Sequence, residues 1–136
     1  MKFIYTGIRV RNLKRSLRFY TKVMGLKITG KGKMLHGGIF VGLADSNTGQ
    51  RLELNWYPKN NKFYVPYKNG EELDHLAFEV DDVEATVKEL VRRGAPVAVK
   101  PFGDWRSMLA YVKDPDGIWI ELIGKKTKKK NRKRIA

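Results

Sequence analysis

The chain contains no cysteine, which removes disulfides, thiolate metal ligands and a cysteine nucleophile. Histidine is nearly as scarce. His36 and His75 are the only two, so a poly-histidine zinc site is excluded and the side chains open to a metal are His, Asp and Glu. No apolar run approaches the ~20 residues of a membrane-spanning helix. The opening MKFIYTGIRV passes into strand-like sequence without the apolar region or cleavage site of a signal peptide. These absences set the expectation of a soluble, cytoplasmic protein without a transmembrane segment.

The 136 residues suffice for one domain with a real core, or for two half-sized modules sharing one. The net charge of +14 is concentrated at one end: the last twelve residues, KKTKKKNRKRIA, hold eight Lys or Arg and no acid. The chain up to Gly124 therefore carries +6. A block of like charge repels itself and buries nothing, so 125–136 is expected to be a disordered tail, either solubilising or in contact with a polyanion or membrane surface.

Periodicity divides the rest into two similar halves. KFIYTGIRV alternates as a strand, and NLKRSLRFYTKVMG sets Leu13, Leu17, Tyr20 and Met24 at helical spacing between an Asn12 N-cap and a Gly25 stop. LKIT, GIFVGL and RLELNW follow as strands, separated by the turns GKGK and DSNTGQ. In the second half LDHLAFEV is a strand. DDVEATVKELVRRG is a helix with Asp81 and Glu84 in capping-box positions and Val83, Val87, Leu90 and Val91 on one face. PVAV, SMLAYV and GIWIEL complete it. Each half thus reads βαβββ: a module at about 1–57, a link at 58–72 that is either an aromatic lid or a plain connection, and a module at 73–124.

An offset of 70 lays Tyr5 on His75, and an offset of 68 lays Glu53 on Glu121. Glu121 stands out within GIWIEL, where both faces read as apolar and an ionised carboxylate is costly unless a cation or donors satisfy it. Glu53, beside Arg51 and Asn55, reads alone as a solvated strand residue. His75 reads as mid-strand, where a lone His is commonly structural. If the two modules pack about a pseudo-twofold axis, however, Tyr5, Glu53, His75 and Glu121 converge. One imidazole with two carboxylates suits a divalent ion such as Ni, Zn, Fe, Mn or Co.

The stretches IRVRNLKRSLRFYTKVMGLKI, RLELNW, DHLAFEVDDVEA and VKDPDGIWIELI resemble the vicinal oxygen chelate superfamily, most closely its glyoxalase I (lactoylglutathione lyase) branch, over nearly all of residues 1–124. The resemblance implies an α+β fold of paired βαβββ modules whose sheets form a cup around a divalent metal, with helices outside. It implies Glu53, His75 and Glu121 as metal ligands, Glu121 as the base with Glu53 as the opposite candidate, and a homodimer whose sites draw on both subunits, the alternative being a monomer that pairs its own two modules. The implied reaction on a small oxygenated substrate is proton removal next to a carbonyl, with metal stabilisation of an enediolate. Arg9 falls where the family binds the glutathione carboxylate. Asn55 and Trp56 complete the substrate-contacting set with Tyr5. Two departures stand out: Tyr5 occupies a position where glyoxalase I has His or Gln, and Asn55 follows Glu53 too closely to match the family's glutathione-binding Asn. The thiol is therefore open. The same scaffold leaves as alternatives an epimerase, an iron dioxygenase, and a metal-free protein that sequesters small molecules.

Overall fold

Two four-stranded sheets form, and the chain order within them is the same: β1-β4-β3-β2 and β5-β8-β7-β6. The structure is a computed structural model that describes residues 2–34, 37–70 and 73–125. His36, the link residues Glu71 and Glu72, and the tail beyond Lys125 lie outside the described residues. The chain divides into two units, Met1–Asn69 and Gly70–Ala136.

The first unit runs β1 (Thr6–Arg9), α1 (Leu13–Arg18), β2 (Lys27–Lys33), β3 (Ile39–Ala44) and β4 (Arg51–Trp56). Asn12 caps α1 by accepting from the Arg15 amide at 3.0 Å. The helix continues as a π-helical turn over Phe19–Val23. Of the expected stripe Tyr20 is buried while Leu13, Leu17 and Met24 are half-buried; Ser16 of α1 and Phe19 and Val23 of the wider turn complete the buried side. The adjacent rings of Phe19 and Tyr20 both reach the interior, edge to face at 5.1 Å. Gly25 ends the segment at φ +84°, a left-handed conformation glycine adopts without cost. The stretch GKGK, expected as a turn, lies inside β2. Gly32 pairs with Phe40 there, and a Cβ on Gly32 would fall 2.9 Å from the Phe40 ring.

The second unit runs β5 (His75–Asp82), α2 (Val83–Arg92), β6 (Val97–Asp104), β7 (Ser107–Lys113) and β8 (Trp119–Lys125). The N-cap of α2 is Asp82 rather than the expected Asp81, and it accepts from the Ala85 amide at 3.0 Å. Val83, Val87 and Leu90 are buried, whereas Val91 turns to solvent. In each unit the helix covers one face of its own sheet. The core therefore collects alternate strand residues: Val41, Leu43 and Leu54 in the first, Ala110, Val112, Ile120 and Leu122 in the second.

Within each sheet the first and last strands of the unit run parallel and adjacent. Gly7 pairs with Glu53 in the first, and Ala77 pairs with Glu121 in the second. The two sequence offsets of 70 and 68 thus reappear as one backbone register used twice.

Candidate active site

The position of Glu121 is set by the turn before it. Asp114, 2 % exposed, accepts from the amides of Asp116 and Ile118, both at 2.8 Å, and Gly117 adopts φ +88°. This locks the DPDG turn and fixes β7 against β8, so that Tyr111 faces Glu121 across the antiparallel pair. Ile120 and Leu122 point into the core under α2. Glu121 shares the other face with Trp119 and Ile123.

That face is not the buried one the apolar sequence suggested. Trp119 and Ile123 are each 40 % exposed, and the Glu121 side chain retains 14 %. The helix shields one side of the sheet only, so within its unit Glu121 lines an open, apolar-edged surface. His75 likewise opens β5 instead of sitting mid-strand. Its Nε2 lies 3.0 Å from Glu121 Oε1, and its Nδ1 lies 3.6 Å from Asp74 Oδ2. The Tyr111 hydroxyl donates to Glu121 Oε2 at 3.3 Å, and its ring meets His75 edge-on at 5.8 Å. Partial burial and then the negative charge of Glu121 push the Tyr111 phenol above its ordinary pKa. It therefore keeps its proton, and stays a donor, well into the alkaline range.

In the first unit Tyr5 precedes β1 and is 43 % exposed. It misses the strand because pairing with β4 begins at Thr6 opposite Leu52. The open face here carries Glu53 and Asn55 from β4 and Arg9 from β1. A Cβ on Gly7 would meet the Asn55 amide at 3.1 Å and the Tyr5 ring at 3.8 Å, so those two side chains gather over the glycine beside Glu53. On its other flank Glu53 faces Gly42. Neither neighbouring strand places a Cβ beside Glu53, but both spaces are filled from elsewhere: Tyr5 and Asn55 reach over Gly7, and Thr29 Oγ1 lies over Gly42, 2.8 Å from where a Cβ would stand, whereas Glu121 has Tyr111 opposite it.

A cavity of ≈ 560 Å³ opens at the end of β1 and β4. Arg9, Arg11 and Lys59 bring positive charge to it, and Trp56 and Tyr67 bring aromatic surface. The Arg11 guanidinium stacks 4.3 Å over the Tyr67 ring. The segment after β4 turns back through hydrogen bonds from Asn61 to the Pro58 carbonyl and from Tyr64 to the Asn61 carbonyl, and so supplies one wall. Arg9 and Trp56 of the expected substrate set line the cavity; Tyr5, Asn55 and Glu53 do not.

His75 and Glu121 thus come together in the second unit, and Tyr5, Glu53 and Asn55 in the first. Among the described residues no group of three or more His, Asp or Glu gathers closely enough to hold a metal ion. The donor chemistry of the His75–Glu121 pair fits one nonetheless. An imidazole nitrogen and a carboxylate oxygen converge on one point, and borderline divalent ions take both.

Residues 2–122 match the Glyoxalase/Bleomycin resistance protein/Dioxygenase superfamily. The chain belongs to that superfamily. Lactoylglutathione lyase of Neisseria meningitidis is 34% identical over 134 residues, covering 93% of each chain. Probable lactoylglutathione lyase of Vibrio parahaemolyticus is 35% identical over 130 residues, covering 92% of this chain and 91% of that one. Among solved structures, the trypanothione-dependent glyoxalase I of Leishmania major superposes with a TM-score of 0.72 at 29% identity, over 99% of this chain and 91% of its own. The paired βαβββ arrangement is therefore the glyoxalase fold, as the sequence motifs implied.

Two features of the site escaped the sequence. Tyr111 was legible only as part of a strand, although a tight turn centred on Asp116 places residue 111 opposite 121. Arg11 and Lys59 carried no signal, because the return of the segment after β4 is a tertiary event.

Proposed function

We propose that the protein is a glyoxalase I-type lyase that relocates a proton next to a carbonyl of a small oxygenated substrate bound through an anionic thiol. The observation that carries this reading is the approach of His75 Nε2 to Glu121 Oε1 at 3.0 Å on the open face of β5 and β8, in a chain whose relatives are named lactoylglutathione lyase. His75, Glu121 and Glu53 would hold a divalent ion (Ni, Zn, Fe, Mn or Co), which when bound polarises the substrate oxygens as a Lewis acid.

The chain's own groups account for the remaining requirements. Glu121 is the base: the hydrogen bond from Tyr111 fixes one of its oxygens, and a carboxylate has lone pairs beyond the two already engaged to take the proton. Glu53 is the opposite candidate, on the face of β1 and β4 that also carries Arg9 and Asn55. Arg9, with Arg11 and Lys59, offers charge-assisted hydrogen bonds to the carboxylates of the thiol, and Trp56 and Tyr67 cover its apolar parts. Tyr5, whose neutral phenol is a poor ligand for a divalent ion, serves as a hydrogen-bond donor to the substrate rather than as a ligand. A cytoplasmic homodimer is part of the proposal.

The test is thioester formation from methylglyoxal and a panel of thiols by the metal-loaded protein. The expected result is turnover with an anionic thiol, abolished by Glu121→Gln. Absence of thioester with every thiol, with small-molecule binding retained, assigns the protein to ligand sequestration instead.

A further inference from the structure

The two helices of the repeat differ sharply in charge. α2 neutralises itself: Glu89 pairs with Arg92 and with Arg93, and Glu84 sits in the first turn, where the helix dipole favours an acid. α1 has no acid in its first turn, where Lys14 and Arg15 stand two and three residues after the Asn12 cap. Lys14, Arg15, Arg18 and Lys22 recur three and four residues apart, all exposed, on the side turned away from the buried Ser16, Phe19, Tyr20 and Val23.

The stripe is only partly shared between the two helices. Through the 70-residue offset Lys14 and Arg15 correspond to Glu84 and Ala85, so the helix can be built without cations at its start, whereas Arg18 and Lys22 correspond to Lys88 and Arg92. Lys14 lies near the positive end of the helix dipole, whereas Arg15 and Arg18 in the last turn of α1 and Lys22 in the last turn of the π-helical segment sit where the dipole favours a cation; side by side on successive turns, the four like charges repel one another. The charge extends beyond the helix. Residues 1–44 contain ten Lys or Arg and no acid, and Met1–Asn69 holds fourteen against Asp45 and Glu53 alone. Residues 70–124 hold six against twelve. Self-association cannot discharge the excess, since each added copy brings another +14.

We propose that the exposed face of α1 docks on the phosphate backbone of a nucleic acid. Four cations spread over about 12 Å of helix axis approach the charge density of a duplex, ~3.4 Å per phosphate on each strand. A lipid surface fits less well, because an interfacial helix needs an apolar face to insert. Here the apolar side of α1 is spent on the core: Phe19 is 6 % exposed, Tyr20 0 % and Val23 4 %. Binding through lysine and arginine alone reads no bases, so recognition is independent of sequence.

The experiment is fluorescence anisotropy of a labelled duplex with the full chain and with the full-length triple variant Lys14→Glu, Arg18→Glu, Lys22→Glu, across a salt series. The wild type should bind with a log–log salt dependence, and the variant should lose about three units of that slope and at least about tenfold in affinity near 0.1 M salt. Lys14→Glu places an acid where the helix dipole favours one, whereas Arg18→Glu and Lys22→Glu place acids in last turns where it does not, so thermal unfolding is measured for the variant alongside binding. The corresponding Gln variant should show the same loss in smaller measure. An unchanged slope in the variant assigns the binding to the tail and overturns the proposal. So does binding to anionic vesicles, or to an acidic protein, with none to duplex. None of the three residues belongs to the proposed catalytic or cavity groups, so thioester formation should persist in the variant, and the two proposals stand or fall separately.

Discussion

Tyr111 stands directly opposite Glu121 in the antiparallel pairing of β7 and β8, and its hydroxyl donates to the carboxylate at 3.3 Å. The phenol claims one oxygen and His75 meets the other, so the carboxylate is held from both ends.

Tyr111→Phe keeps the ring against His75 and Trp119 and deletes only the donor. The expected outcome is a protein of unchanged thermal stability whose divalent-metal affinity falls about tenfold, as is usual when a hydrogen-bonding partner of a ligand is removed. Competition with a chromophoric chelator measures it. Equal affinity in the two proteins would show that the hydroxyl does not order the carboxylate.

Asp114 is expected to matter more than its distance from the chemistry suggests. Its buried carboxylate accepts from two amides, of Asp116 and Ile118, in the turn that leads into β8. Asp114→Ala should cost about 2–4 kcal/mol, one lost charge-assisted acceptor at each of two amides. Urea denaturation provides the figure, and a loss under ~1 kcal/mol would mean that the turn is held by other contacts.

How much of this was readable beforehand follows from the kind of information each feature needs. The repeat was legible because it is written twice, and the offsets 70 and 68 return as the pairs Gly7 with Glu53 and Ala77 with Glu121. The caps at Asn12 and Asp82 were legible to within a residue, since capping is local. The environment of Glu121 was not. Trp119 and Ile123 are apolar in sequence yet half-open, because only the side of the sheet that α2 covers is decided by packing within the unit. The π-helical turn that buries Phe19 beside Tyr20 was also hidden, since no residue there breaks the ordinary helical pattern. The cavity depended on residues 58–67 folding back on their own strand ends, which composition does not encode.

Arg9→Ala removes a cation from the cavity wall without touching Glu53 or Glu121. In thioester formation it should raise KM for an anionic thiol by about tenfold, the ~1.4 kcal/mol expected of a partly exposed charge-assisted contact, and leave kcat within about twofold. A matching fall in kcat with no change in KM would place Arg9 in the chemical step instead.

Glu89 bears on acid stability. Hydrogen bonds from Arg92 and then Arg93 hold its carboxyl at a pKa of about 2, below the ordinary 4.5. A depressed folded-state pKa contributes stability that is whole above about 4.5 and lost as pH falls towards 2. The wild type should therefore exceed Glu89→Gln in urea midpoint at pH 6, with the gap closing by pH 2 and shrinking in high salt because the cluster is exposed. A gap that stays constant with pH would exclude the ion pairs as its source.

The central proposal is that His75, Glu121 and Glu53 are the side chains through which the protein holds a divalent ion. The most direct test is the metal content of the purified protein after loading and desalting, measured by elemental analysis for the wild type and for His75→Ala, Glu121→Gln and Glu53→Gln. The account predicts about one ion per site in the wild type and loss of most of it in each variant. A wild type that retains no divalent ion, or variants that retain it in full, would contradict it.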